Sequence, residues 1–189
     1  MSEQLQRIAM IGSPGGGKST LATAIAAATG LPVIQLDREY WAPGWVEPAT
    51  DEWRTRNAVI VAGERWVIDG NYGSSLAARL DRADLIVWVD LPTRICLAGA
   101  IRRRWRYRHG TRPDMSEGCP ERLDAEWLKF LWYIATFRRR QRPGMVAALG
   151  GSRLPVVQVK TAEERAALHR AAGTGHGIAR LASSRIERP

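Results

Sequence analysis

Short apolar runs recur along the chain, and each is followed by a stretch with helical spacing. Ile8–Ile11, Val33–Asp37, Trp66–Asp69, Ala83–Asp90 and Pro155–Lys160 read as five strands, rich in β-branched residues and too short for helices. Between them the pattern changes period. Thr20–Thr29 is alanine-rich helix sequence. A second helix runs from Thr50, a candidate N-cap with Asp51 and Glu52 just inside, to about Glu64. Ser75–Asp81 predicts a short helix, and another starts at Leu91-Pro92-Thr93 and runs into Arg102–Arg108. Leu123, Trp127, Leu131 and Ile134 keep a 3–4-residue spacing within a helix predicted from Glu121 to about Gln141. Arg142-Pro143-Gly144 breaks it, a short helix leads to Gly150-Gly151, and Thr161-Ala-Glu-Glu opens the last helix as a capping box. Arg38–Pro48 and His109–Pro120 read as loops.

Strands alternating with helices predict an α/β fold with a mostly parallel five-stranded sheet. At 189 residues the chain is expected to be a single domain over 1–172, with a flexible C-terminal tail at 173–189 where Gly, Ala and Ser accumulate. Ligands of such sheets bind beyond the carboxyl ends of the strands. That rule brings the glycine-rich turn after the first strand to one rim with Asp37, Asp69 and Asp90.

Composition adds three constraints. No run of 18 apolar residues predicts a membrane span, and the first residues show no signal-peptide core. Two cysteines, Cys96 and Cys119, form neither a metal pattern nor a disulfide framework, so a reducing, cytoplasmic setting is the expectation. Net charge is +9, and lysine occurs only at 18, 129 and 160, so 25 of the 28 cationic residues are arginine. Residues 102–142 carry +7 of that charge. Such a block suits small anionic ligands or nucleic acid. The histidines at 109, 169 and 176 show no ligand spacing.

Gly12-Ser-Pro-Gly-Gly-Gly17-Lys18-Ser19 has the G-x-x-x-x-G-K-[ST] spacing of a phosphate-binding loop, in the required strand–loop–helix context. Backbone N–H groups of Gly12, Gly15, Gly16, Gly17, Lys18, Ser19 and Thr20 would face phosphates at a helix N-terminus. Lys18 would reach the β/γ-phosphates, and the Ser19 hydroxyl would ligate Mg²⁺. Asp69, before Gly70, is the candidate acidic partner of that ion; the alternative is a carboxylate that caps the turn. Asp37 sits where an acceptor hydroxyl would enter, to accept its proton or orient it, or else pairs with Arg38. Asp90 reads as structural. Phosphoryl transfer needs cations around the moving group. Arg103 and Arg104 lead among the arginines at 102–108, 112 and 138–142. Trp127 reads as helix core, although Trp105, Trp127 and Trp132 among arginines also suit base stacking.

These pieces resemble the adenylate kinase-like group of P-loop kinases, and within it the bacterial topology-modulation proteins. The resemblance is carried by Gly12–Thr20, Leu36-Asp37 with Tyr40-Trp-Ala-Pro-Gly-Trp45, Ile68-Asp-Gly-Asn-Tyr72, Val89-Asp-Leu-Pro92 and Arg112–Pro120. It implies the three-layer P-loop NTPase fold, an acceptor-binding insertion at 38–65 and an arginine-rich lid at 102–120. Asp69 matches the carboxylate that holds Mg²⁺ water, and Arg103 a lid-base arginine. ATP and Mg²⁺ are then the expected cofactors, Lys18, Asp37, Arg103 and Arg104 the catalytic set, and Asp37, Arg38, Arg54, Asn71 and Arg112 the acceptor side. Two departures matter. Asn71-Tyr72-Gly73 stands where adenylate kinases have a Phe-Pro-Arg that grips the acceptor phosphate, and Gly99 stands near the place where that family usually has an adenine-stacking arginine. The expectation is ATP-dependent phosphoryl transfer to a small acceptor, a nucleotide or nucleoside, by a monomer or dimer. The alternative is an ATP-binding regulator that associates with nucleic acid through 102–142. No Asn-Lys-x-Asp guanine motif or ABC signature is present.

Overall fold

The computed structural model describes residues 5–108, 110, 112–120, 123–152 and 154–173. His109, Glu121, His176 and all of the expected tail beyond Gly173 lie outside the described residues.

Among the described residues the strands are β1 (Arg7–Gly12), β2 (Val33–Gln35), β3 (Trp66–Asp69), β4 (Leu85–Val89) and β5 (Val156–Val159). All pair in parallel, in the order β2-β3-β1-β4-β5. The helices are α1 (Lys18–Thr29), α2 (Leu36–Tyr40), α3 (Thr50–Ala62), α4 (Gly73–Arg82), α5 (Thr93–Arg106), α6 (Ala125–Arg140), α7 (Arg142–Gly150) and α8 (Ala162–Gly173). None is long and apolar enough to cross a membrane.

Three layers follow from the strand period of two. Ile8 and Met10 of β1, Val67 of β3 and Leu85, Val87 and Val89 of β4 point to one face. There they meet Leu21, Ala22 and Ile25 of α1, Cys96 and Ala100 of α5, Ile134 of α6 and Leu168 of α8. Their neighbours Ala9, Ile11, Trp66, Ile68, Ile86 and Trp88 face the other way, against Trp53 and Val61 of α3, Leu80 of α4 and Leu149 of α7. A sheet covered on both faces needs strands that are apolar throughout, which is why β3 and β4 are buried end to end.

Register sets the functional rim. Met10 pairs with Asp69, Gln35 pairs with Asp69, and Gly12 pairs with Val89. The ends of β1, β2 and β3 therefore lie side by side.

Four expectations are corrected. β2 ends at Gln35, so Asp37, expected at the end of that strand, is instead in α2, which also takes in Arg38–Tyr40 of the expected loop. β3 offers pairing only as far as Asp69, and Leu36 instead turns into the core, against Gly70. The cap of α3 is Ala49, not Thr50, and no side chain caps it; Asp51 and Glu52 complement the positive helix end. α6 begins after Asp124, whose Oδ1 accepts the Trp127 N–H at 3.0 Å. Pro143 lies in the first turn of α7, where a missing N–H costs no helical bond, so the break is confined to Gln141.

The segments 38–48 and 112–120 dock on one another. Gly44 N–H donates to Gly118 O at 2.8 Å, Trp45 Nε1 to Pro120 O at 3.0 Å, Ser116 Oγ to Arg38 O at 2.6 Å and Cys119 Sγ to Ala42 O at 3.2 Å.

Candidate functional site

A cleft of about 2070 Å³ opens over the carboxyl ends of β1, β2 and β3. Its floor is the loop between β1 and α1. Gly12 has φ +129°, and a Cβ there would sit 2.0 Å from Val89 O. Gly15 has φ +76° and lies so close to α5 that a Cβ would meet Cys96 O at 2.1 Å. Gly99 faces it, and its own Cβ would meet Gly15 O at 2.1 Å. The loop is therefore pressed between β4 and α5 in a shape that no side chain allows.

Lys18 is buried and its Nζ donates to Ser13 O at 3.1 Å, curling back over the loop. Arg165 reaches in from α8 and donates through Nη1 to Gly16 O at 3.0 Å. Asn71 clamps the loop from the other side. Its Oδ1 accepts the Gly12 N–H at 3.0 Å and its Nδ2 donates to Gly12 O at 2.8 Å.

Asp69 is 5 % exposed. Ser19 stands beside it, and its Oδ1 has no hydrogen-bond partner. Burial pushes its carboxyl above the usual carboxylate range; Lys18 and Ser19 oppose that, whereas Asp37 and Asp114 reinforce it. A buried carboxylate oxygen with an unfilled lone pair, next to a serine hydroxyl, suits a divalent cation. Among the described residues no group of three or more His, Cys, Asp or Glu side chains could hold a metal. Two protein donors supplemented by phosphate oxygens and water are the usual pattern for Mg²⁺.

Asp37 accepts the Tyr72 hydroxyl at 3.0 Å. Burial first, then the Asp37 charge, push the Tyr72 phenol far above its ordinary range. The Tyr40 phenol is raised by burial and by the Glu47 charge. Tyr40, Trp41, Trp45, Trp53 and Tyr72 form a continuous aromatic cluster, with centroids 4.9–5.4 Å apart.

The arginines are sorted by helix geometry. At 100° per residue, Gly99, Arg102, Arg103 and Arg106 share one side of α5, and all four line the cleft. Arg104 falls on the opposite side and is not among the lining residues. Arg103 lies over the Phe130 ring at 5.4 Å. Arg112 is buried, lines the cleft and pairs with Asp114 at 3.5 Å. Arg38 and Thr20 also line it. Arg54 does not: it pairs with Asp51 on the exposed face of α3. Arg142 holds both oxygens of Asp90, at 3.1 and 3.0 Å, with Arg138 at 3.8 Å and Gln158 at 3.0 Å. Asp90 thus ties α6, α7 and β5 to the end of β4. Trp127 packs against the core, as its spacing suggested.

Sequence reasoning missed Arg79 and Arg165, and it set Asn71 on the acceptor side, whereas the Asn71 amide is bonded to Gly12. Arg79 is 0 % exposed, donates to Gly70 O and, at 3.2 Å, to Tyr72 O, and so braces the turn that carries Asn71 and Tyr72. Burial pushes its guanidinium down to about 10, with the Asp69 charge opposing. Its signal was present: it lies four residues after the buried Ser75, on the inward side of α4. Arg165 had no local signal, because its reach to the loop is set by how α8 docks on α1. The Asn71 clamp likewise depends on the sheet register.

No protein-family model and no curated protein matches the chain. Solved structures do. The shikimate kinase of Acinetobacter baumannii, in complex with shikimate, superposes with a TM-score of 0.55 at 16% identity, covering 98% of this chain and 97% of that one. A gluconokinase from Sinorhizobium meliloti 1021 gives 0.50 at 22% identity, covering 95% and 94%. The shikimate kinase of Bacteroides thetaiotaomicron gives 0.50 at 15%, covering 88% and 95%. The chain shares the fold of these structures, a parallel five-stranded sheet between layers of helices. At these identities the likeness concerns the fold, and the topology-modulation subgroup finds no match among these structures.

Proposed function

We propose that this chain is an ATP- and Mg²⁺-dependent kinase that transfers the γ-phosphoryl group to a hydroxyl of a small acceptor, with nucleosides and nucleotides the first to try. The observation that carries this reading is the meeting, in one cleft, of the Lys18 loop, the Ser19–Asp69 pair and the Asp37–Tyr72 pair.

In the proposed reaction the loop N–H groups and Lys18 bind the triphosphate, Lys18 exchanging Ser13 O for phosphate oxygen. Ser19 and Asp69 would hold Mg²⁺, which would supply positive charge to offset that of the triphosphate. Tyr72 fixes Asp37, whose second oxygen accepts the acceptor O–H. The acceptor oxygen forms a bond to the γ-phosphorus, the bond from that phosphorus to the bridging oxygen breaks, ADP leaves, and the proton passes to Asp37. Arg102, Arg103 and Arg106 balance charge as it develops. Positioning and electrostatics supply the acceleration.

The test is ADP release in a coupled assay over an acceptor panel, with Lys18→Ala alongside. Turnover should vanish in Lys18→Ala while its far-UV circular dichroism stays unchanged. Surviving activity in that variant would refute the assignment. One observation favours the second reading: Trp105 and Trp132 are 67% and 53% exposed, under Arg108 and Arg140 at 5.8 and 4.3 Å. A nucleic-acid contact through them predicts binding that falls steeply with salt.

A further inference from the structure

The cleft is electrically divided. On the loop side its walls carry Lys18, Arg102, Arg103, Arg106, Lys129 and Arg165 against Asp69, Asp124 and Glu126. On the other side Asp37, Glu39, Glu47 and Asp114 face inward against Arg38 and Arg112. Arg112 is already paired with Asp114. The same side presents the rings of Trp41, Trp45 and Tyr72. A polyanion fits the first side, and an anion is repelled from the second.

We infer that the acceptor is a hydroxylated molecule without phosphate or carboxylate, uncharged or cationic, that lays an apolar or cationic face on Trp41 and Trp45 and offers a hydroxyl to Asp37. This rests on the kinase reading and narrows it to nucleosides, polyols and amino sugars, excluding nucleoside monophosphates and sugar acids.

Three physical points support it. Carboxylates accept hydroxyl and ammonium donors in the fixed directions that polyols and amino sugars supply. Tyr72 spends its hydroxyl on Asp37 Oδ1, so that carboxylate is steered while its second oxygen is kept for a ligand. Aromatic faces stack on apolar ring faces and attract cations, whereas they give an anion nothing. A bound phosphate on this side would need guanidiniums, and beside Arg38 it would meet only Arg112, which is engaged with Asp114.

The experiment uses the full chain with ATP and Mg²⁺ and matched acceptor pairs: adenosine against its monophosphate, guanosine against its monophosphate, glucose and glucosamine against gluconate. ATP binding is measured separately by titration with a fluorescent ATP analogue. The expected result is that the uncharged or cationic members exceed their anionic partners by at least about tenfold in kcat/KM, the least that a like-charge contact produces. Trp45→Ala should raise the acceptor KM severalfold and leave the ATP KM unchanged. An anionic member that outruns its partner overturns the proposal. So does the absence of any turnover with the uncharged arm in protein that binds ATP. If ATP does not bind at all, the kinase reading itself fails and the acceptor class falls with it.

Discussion

Asn71 offers the sharpest test of how the site is built. Its amide satisfies both backbone groups of Gly12, a buried residue whose φ of +129° excludes other side chains. Asn71→Ala deletes both bonds and leaves no donor or acceptor in their place. A buried backbone group left unpaired costs about 1–3 kcal/mol, so the pair amounts to about 2–5 kcal/mol. For a domain of this size that is a fall in Tm of about 5–15 °C. The loss is also local, because Gly12 is the first residue of the loop. The affinity for an ATP analogue, measured well below both melting points, should drop by about tenfold or more, the equivalent of about 1.4 kcal/mol. Asn71→Asp separates the two bonds. The carboxylate can still accept the Gly12 N–H, but only its protonated form can donate to Gly12 O. This variant should therefore lie between wild type and Asn71→Ala and recover toward wild type as pH falls. A Tm for Asn71→Ala within about 2 °C of wild type, with unchanged nucleotide affinity, would refute the clamp.

Four further outcomes are expected. Asp69 has a folded-state pKa raised by burial, so its contribution to stability is greatest in acid and is lost as pH rises through that value. Asp69→Asn should match wild type at low pH, melt higher near neutrality, and lose Mg²⁺-dependent turnover; an equal or lower Tm at neutral pH would contradict this. Gly99→Ala drives a Cβ into Gly15 O and should cost about 1–3 kcal/mol along with nucleotide affinity. Gly144→Ala, in α7 with nothing within 4 Å of the new atom, should instead gain about 0.4–1 kcal/mol in urea unfolding. Arg79→Met strips two carbonyls of their buried donor and should cost about 2–5 kcal/mol by the same measurement, whereas an exposed arginine such as Arg54 should cost under about 0.5 kcal/mol when replaced.

What the chain reveals of itself depends on how local each cause is. The sheet was legible because burial on both faces forces runs such as Ile8–Ile11 and Leu85–Val89 to be apolar at every position. The glycine loop was legible because its backbone shape demands particular residues in order. Asp37 was placed in a strand because nothing in Val33–Asp37 reveals that β3 stops offering pairing at Asp69. The arginine stripe was half legible. Once Gly99 is known to touch the loop, the helix period selects Arg102, Arg103 and Arg106 and turns Arg104 away. Which side of α5 meets the loop is a tertiary fact. Arg165 acts through a carbonyl 149 residues away, which no window of sequence connects, whereas Arg79 acts only nine residues away and its inward place on α4 follows from the helix period.

The docking of 112–120 on 38–48 bears on how such a pocket can change over time. At the Trp45–Pro120 contact the two strips are 75 residues apart in the chain, yet they are laminated by hydrogen bonds along their length. Widening the mouth around Trp45 therefore drags Arg112 and Asp114 with it. A mutation that reshapes one ply is felt in the other, and a new acceptor has to be accommodated by paired changes across the seam. Selectivity in this chain is a property of the laminate, inherited or lost as a unit.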